Sequence, residues 1–432
     1  MSLINKGKKS PPTPHSPLPT TPELMAPAGD WTMLSAAINA GANAVYFGLK
    51  KFNMRAKAEN FSVEELPAVV NLCKEKNVKT YLTLNTIIFE HELEETEKLI
   101  KIAVKEGIDR IICWDLAVAE ICKNEGIPFC ISTQASVSNS VSANFYKRAG
   151  AVRVVLAREC SLEQVKEIKK KIDIELEVFI HGAMCIAISG RCFLSHHIFG
   201  KSANRGECLQ PCRREYEITD PILGKSVLIG EDYVLSPTDL CTIEFVDQLI
   251  EAGIDSFKIE GRKRSPEYVA KTVSIYRQAI DLYYDRKLNR DKKKEFLEEL
   301  KSVYNRGFST GFYFNVPASD EYAGTEGNKA TKIKKYSGKV LNYYKKAKAV
   351  YVQVDAGELL VGDEILITGP TTGVLNLSIQ NIIREEETIS QAVKGDKITI
   401  PCNELVRPRD KVYRVINLNP KNSSDEFSVL DE

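Results

Sequence analysis

The chain has no long apolar run. Hydrophobic residues make up 43% of its 432 positions, yet no stretch approaches the roughly 20 apolar residues of a membrane-spanning helix, so no membrane partner is expected. It has almost no net charge: 59 Lys and Arg stand against 58 Asp and Glu, a formal +1. The molecule as a whole is therefore not a polycation that coats nucleic acid unselectively. It has no export signal, because "MSLINKGKKSPPTPHSPLPTTP" carries some positive charge but no apolar core segment. That predicts a cytoplasmic protein, and the prolines predict that residues 1–21 form a disordered tail. Two hydrolase signatures are absent as well. There is no G-x-S-x-G elbow, and "HELEE" at 91–95 lacks the second histidine of a zinc protease helix.

What is present is a group of cysteines. Four of the eleven, Cys185, Cys192, Cys208 and Cys212, fall within 28 residues, and the other seven stand singly. Thiols in a reducing compartment point to metal binding or catalysis before disulfides. The spacing C-x6-C-x15-C-x3-C lacks the paired C-x2-C of a zinc ribbon. Four thiolates hold either zinc or an iron–sulfur cluster, and irregular spacing along one long loop favours the cluster. Arg191, Arg213 and Arg214 flank these positions and would offset thiolate charge. The plain alternative is four buried thiols that gather by chance. Cys241, in "SPTDLC", would be a substitute ligand.

From Glu23 onward short apolar runs alternate with amphipathic ones. Strand candidates are residues 23–29, 44–49, 79–85, 110–115, 128–134, 153–159, 175–182 and 256–261. In "NAGANAVYFG", "KEGIDRIICW" and "EAGIDSFKIEG" a helix ends in glycine and feeds the next strand, the habit of parallel βα units. Eight such units predict a TIM-type (β/α)8 barrel over residues 22–290, with a doubly wound open sheet as the alternative. More than seventy residues separate the last two strands, about twice what a helix and its loops need. The excess, residues 183–238, is an insertion holding the cysteines at the end of the barrel where active sites are built.

Strand-end residues at that face are Asn85, Asp115, Gln134, Glu159, His181 and Glu260. Alternation places Glu177, Phe179 and His181 on one side of their strand, and Lys258, Glu260 and Arg262 on one side of theirs. Charge inside a barrel is costly unless paired or working, so Glu177, His181, Lys258, Glu260 and Arg262 are the candidate catalytic residues. Each alone is equally well read as half of a structural ion pair; together at one rim they predict a polar pocket.

Residues 291–335 read as a helical linker and 419–432 as a loose tail. Between them, residues 336–418 have a β texture, and "GELLVGDEILITGPTTG" resembles the small β-barrel that follows the GTPase domain of translation factors. Asn328 to Lys348 carries eight lysines and no acid, with Tyr336, Tyr343 and Tyr344 interleaved, a pattern that suits a phosphate backbone or, equally, a solvated strand edge.

"EVFIHGAMCIAISGRCFLS" resembles the signature of the peptidase U32 family of collagenase-like peptidases. "ELMAPAGDWTMLSAAINAGANAVYFGL", "NRGECLQPCRREY" and "DSFKIEGRKRSPEYV" resemble its other blocks, so the likeness spans about residues 23–290. Some members are proteases; others are oxygen-independent hydroxylation factors for RNA or quinones. The strongest likeness is to the tRNA uridine-hydroxylation branch. It implies 5-hydroxyuridine formation at the wobble base with prephenate, and a [4Fe–4S] cluster on Cys185, Cys192, Cys208 and Cys212. It also implies tRNA as partner and leaves room for a homo-oligomer or a pairing with a paralogue. The other readings are a peptidase, an rRNA hydroxylase and a non-catalytic RNA-binding factor. A small anionic co-substrate would sit near Lys258 and Arg262, where the helix after "GRKRSP" points its N-terminus.

Overall fold

A computed structural model describes residues 19–56, 58–229, 235–317 and 327–418. The tails assigned to 1–21 and 419–432 lie outside these residues except for 19–21.

The eight barrel strands form where the glycine-punctuated pattern puts them: β1 Glu23–Pro27, β2 Ala44–Gly48, β3 Lys79–Thr83, β4 Arg110–Cys113, β5 Phe129–Ile131, β6 Arg153–Val155 and β7 Glu175–Ala183. The insertion adds a hairpin, β8 Tyr216–Thr219 with β9 Ser226–Ile229, and then β10 Asp239–Cys241. The eighth barrel strand is β11 Ser256–Ile259. It pairs in parallel with both β1 and β7, so the sheet closes on itself and the open-sheet alternative falls.

Helices α1 Trp31–Asn39, α2 Leu66–Glu75, α3 Leu93–Glu106, α4 Leu116–Asn124, α5 Ser140–Arg148 and α6 Leu162–Lys169 surround the barrel. They start where polar caps dictate: Asp30 accepts from the Met33 amide, Asn139 from Ser142 and Ser161 from Gln164. Gly107 ends α3 with φ +80°, a left-handed turn that glycine takes without a Cβ clash. Further on lie α7 Leu194–Phe199, α8 Val246–Glu251 and α9 Pro266–Tyr284. The main core fills the space between strands and helices. Leu24, Phe47, Phe257 and Tyr276 are fully buried in it, each contributing roughly 1.5–3 kcal/mol by leaving water.

The segment 291–335 does more than link. Helix α10, Arg290–Leu300, packs on α9, and β12, Phe308–Ser309, pairs in parallel with β10. The Tyr313 hydroxyl donates to the Phe179 carbonyl at 2.8 Å, stapling this segment to β7.

Past it the chain forms an antiparallel domain. Its eight-stranded sheet runs in the order Gly373–Ser378, Glu364–Gly369, Lys411–Asn417, β13 Lys332–Tyr344, β14 Ala349–Val354, Lys397–Pro401, Ile382–Arg384 and Glu387–Ile389. The sheet encloses its own core of Val340, Val352, Ile365, Ile398 and Val412. This domain docks on the barrel through the turn Pro370–Gly373. The Ser35 hydroxyl of α1 donates to the Pro370 carbonyl at 2.5 Å, and the Asn39 amide to Thr372 at 3.2 Å. Gly373 is required there: its φ is +69°, and a Cβ would meet the Ala36 amide nitrogen at 2.8 Å. Among the described residues no helix is long and apolar enough to cross a membrane.

Candidate active site

A cavity of about 540 Å³ opens at the C-terminal end of the barrel strands, under the insertion. Strand ends supply Thr83, Asn85, Ser132, Gln134, Arg158, Phe179, Lys258, Glu260 and Arg262, and the insertion supplies all four clustered cysteines. Three predicted catalytic residues, Lys258, Glu260 and Arg262, therefore meet in one place, and Glu177 and His181 are not in the cavity lining.

Glu260 is held by guanidinium groups. Arg55 reaches it at 3.1 Å and Arg158 at 3.5 Å. Burial alone would raise its pKa, but the charges of Arg55, Arg158 and Arg262 outweigh that and hold it down to about 2. Arg262 donates to Asn53 Oδ1 and Thr83 Oγ1, each at 3.1 Å, and burial lowers its pKa to about 10. The Arg158 guanidinium lies 3.9 Å above the Phe179 ring and donates to the Ala183 carbonyl at 2.7 Å. Lys258 sits 4.5 Å above the Tyr46 ring, with its ammonium already tied to Glu177 at 2.9 Å.

Glu177 belongs to the barrel interior. It is 1% exposed and bonds Arg153 at 2.9 Å, Lys258 at 2.9 Å and Ser256 Oγ at 3.0 Å. Arg153 also meets Glu23 at 2.8 Å and Glu175 at 2.6 Å. This is a closed ion network below the cavity.

His181 is turned away for a reason of register. Lys258 pairs with Phe179, but Ile259 pairs with His181, so β7 carries one extra residue at Ile180. A one-residue bulge sends every later side chain to the opposite face. His181 consequently packs among Tyr268, Tyr276 and Phe308 on the helix side, with Nδ1 3.4 Å from the Tyr276 hydroxyl. Burial, aided by the nearby charge of Arg264, lowers its pKa to about 3, so it is a neutral packed ring.

Two other strand-end residues serve structure. Asp115 caps α4 by accepting from Ala117 at 3.0 Å. Glu159 accepts from the amide and hydroxyl of Ser189, at 2.8 and 3.0 Å, and anchors the cysteine loop.

That loop is held at several points. Arg213 donates to Ser236 Oγ at 2.6 Å, to the Pro237 carbonyl at 2.5 Å and to the Met184 carbonyl at 2.7 Å. Arg205 grips Glu92 at 2.5 and 2.9 Å. Two sulfurs accept backbone amides: Leu194 N–H to Cys192 at 3.3 Å and Gln210 N–H to Cys208 at 3.4 Å. Burial pushes the Cys212 thiol up to about 11; Arg213 opposes this, and Cys185, Cys208 and Cys192 add to it, which puts each of those three within electrostatic reach of Cys212. Among the described residues no three His, Cys, Asp or Glu side chains close around a space the size of one ion. Cys241, the substitute ligand the sequence offers, is not in the cavity lining. It lies in β10 opposite His181, buried, with its sulfur 3.8 Å from the Tyr276 hydroxyl, and burial raises its pKa to about 12.

Reading the strand ends alone misses Arg55, Arg264, Tyr304 and Arg306, all of which line the cavity. Only the basic run "GRKRS" hints at Arg264; the others come from loops with no motif of their own.

The model of peptidase family U32 matches residues 29–322. A collagenase of Porphyromonas gingivalis is 41% identical over 404 residues, covering 91% of this chain and 97% of that one. A tRNA hydroxylation protein of Bacillus subtilis is 39% identical over 374 residues, covering 85% of this chain and 86% of that one. A 23S rRNA 5-hydroxycytidine synthase of Escherichia coli is 35% identical over 304 residues, covering 69% of this chain but 46% of its own length. With most of its length shared in this way, the chain belongs to peptidase family U32.

Proposed function

We propose that the chain is an RNA-modifying enzyme that hydroxylates the wobble uridine of tRNA to 5-hydroxyuridine. In this reading it holds a [4Fe–4S] cluster on Cys185, Cys192, Cys208 and Cys212 and takes prephenate as co-substrate. The observation that carries it is a joint placement: four thiols of one loop line the same cavity as Arg55, Arg158 and Arg262.

The donor set suits a cluster. Four thiols on one loop, without the paired C-x2-C spacing of a zinc ribbon, are the ligand number an iron–sulfur cluster takes. The amides of Leu194 and Gln210 point at the sulfurs of Cys192 and Cys208. When bound, such a cluster supplies one-electron chemistry or Lewis acidity beside the substrate.

The protein's own groups do the positioning. A cavity of about 540 Å³ has room for a base taken out of its stack. Asn85 and Gln134 put carboxamides on its wall, groups that match a pyrimidine edge. Glu260 stays a carboxylate and keeps Arg55 and Arg158 in place, and the excess guanidinium charge attracts an anionic co-substrate. For tRNA as partner, exposed Lys345, Lys346 and Lys348 stand at the turn between β13 and β14 beside half-exposed Tyr344, positions suited to backbone contact and stacking. Other lysines of that stretch are already used in structure: Lys332 pairs with Glu364 at 2.7 Å and Lys334 with Glu267 at 2.9 Å.

Relatives named for tRNA hydroxylation and for rRNA hydroxycytidine synthesis share base hydroxylation, which favours RNA as substrate. Those named collagenase favour a peptidase. Proteolysis needs a nucleophile beside a base, and the described residues supply a poor one. Ser195 is 1% exposed and its hydroxyl accepts the Leu209 amide at 3.1 Å, while His181 faces the helix side.

The test is nucleoside mass spectrometry on tRNA from a strain lacking the gene. Loss of wobble 5-hydroxyuridine, restored by the wild-type gene and not by Cys192→Ser, is expected. Unchanged tRNA together with iron-independent cleavage of gelatin by the purified protein would replace this reading with the peptidase.

A further inference from the structure

The cavity has a second charged corner, on the side where the cysteine loop meets β10. Arg213, Arg264 and Arg306 gather there around one carboxylate, Asp239, which is 1% exposed. Arg264 pairs with Asp239 at 3.2 Å. Arg306 reaches it only at 3.6 Å, too long for a hydrogen bond. Arg213 is satisfied by neutral oxygens alone, those of Ser236, Pro237 and Met184. Three guanidiniums and one carboxylate leave an excess of two positive charges in a wall largely shut off from water. Arg306 is 7% exposed and its buried Nε has no hydrogen-bond partner. Tyr304 lies under both Arg264, at 3.9 Å, and Arg306, at 5.2 Å, and fixes the planes of their guanidiniums.

Buried cationic excess with an unsatisfied donor is costly, and a planar anion would relieve it. We propose that Arg213, Arg264 and Arg306, braced by Tyr304, form a subsite for the carboxylate of a small free ligand. A guanidinium edge matches a carboxylate with two parallel hydrogen bonds. The subsite does not include Lys258, whose ammonium is paired with Glu177 at 2.9 Å. The inference rests on the reading of this cavity as the place of an anionic co-substrate, and it assigns that anion's docking group to different residues from the strand-end Lys258 and Arg262.

Calorimetric titration of the anaerobically purified full-length protein tests it, with malonate as probe and inorganic phosphate and a short oligouridylate in parallel. Malonate should bind, and Arg306→Gln should weaken it about tenfold or more, the worth of one charge-assisted hydrogen bond. Iron content should stay as in the wild type, and the melting temperature should not fall. Because Arg306 is buried, crystals soaked in 4-bromobenzoate, an aryl bromide that does not alkylate thiols, ask the same question without a variant: an anomalous bromine peak near Arg306 and Tyr304 is expected, and its absence overturns the subsite. Equal malonate affinity in wild type and R306Q, or none in the wild type, also overturns it. Iron lost from R306Q with malonate affinity unchanged would assign the arginines to balancing the thiolates instead. Phosphate or oligouridylate binding more tightly than malonate, and depending on Arg306, would replace the small carboxylate by a nucleic-acid phosphate. Unhydroxylated tRNA is a separate readout: normal hydroxylation without malonate binding removes the subsite alone, and malonate binding without any hydroxylation removes the proposed function alone.

Discussion

Charge is arranged in opposite ways at two depths of the same barrel. In the interior each positive group has its acid: Arg153 meets Glu23, Glu175 and Glu177, and Lys258 meets Glu177. At the mouth three guanidiniums share Glu260 and three more share Asp239. A closed network is what a fold needs to keep charge inside. An open excess stabilises nothing by itself and points to a ligand that completes it. Glu177 and Glu260 look alike in the sequence, both acids on barrel strands near Lys or Arg, yet one belongs to architecture and the other to the site.

The largest effect that separates the two depths is on stability. Glu177→Gln should destabilise the barrel by about 3–5 kcal/mol, because Arg153 and Lys258 are left buried with less counter-charge. Denaturant unfolding measures it; a loss under 1 kcal/mol would mean the network is not closed in the way described.

A second separation uses pH. His181 has its pKa lowered to about 3 from an ordinary 6.5. The unfolded chain therefore takes up a proton between these values that the folded chain refuses. Stability from His181 is complete above pH 6.5 and falls as pH drops toward 3, by about 1.4 kcal/mol per pH unit. Unfolding free energies of the wild type should carry this slope, and those of His181→Gln should lack that part of it, with iron content unchanged. An equal slope in both, or iron lost from the variant, would return His181 to the cavity.

The smallest effect concerns the other domain. Replacing Lys345, Lys346 and Lys348 by Gln should lower the slope of log tRNA affinity against log salt by about two to three, without touching the barrel's melting temperature. An unaltered slope would leave those lysines as a solvated turn.

Much of this was legible in the chain itself. All eight strands appear in the pattern, because parallel strands buried on both faces are continuous apolar runs and the glycines after helices punctuate them. The four cysteines announce themselves by spacing. His181 could not be placed from alternation, since one added residue at Ile180 reverses the face and leaves no mark in composition. Strands β10 and β12, of three and two residues, are too short to show a period. The corner of Arg213, Arg264 and Arg306 is assembled from three distant segments, so only the closed fold reveals it. The β-domain strand β13 begins at Lys332 rather than 336, because its first residues are lysine-rich yet pair with Lys411–Asn417.

The central claim is that the open excess of charge at the mouth belongs to a site built on four thiolates. The most direct measurement is the iron and acid-labile sulfide content of anaerobically purified protein, wild type and Cys→Ser at 185, 192, 208 and 212. The account predicts about four irons and four sulfides per chain, as a cubane cluster requires, lost in each variant and kept in Cys241→Ser. Stoichiometric zinc without labile sulfide, or full iron in Cys212→Ser alongside loss in Cys241→Ser, would contradict it.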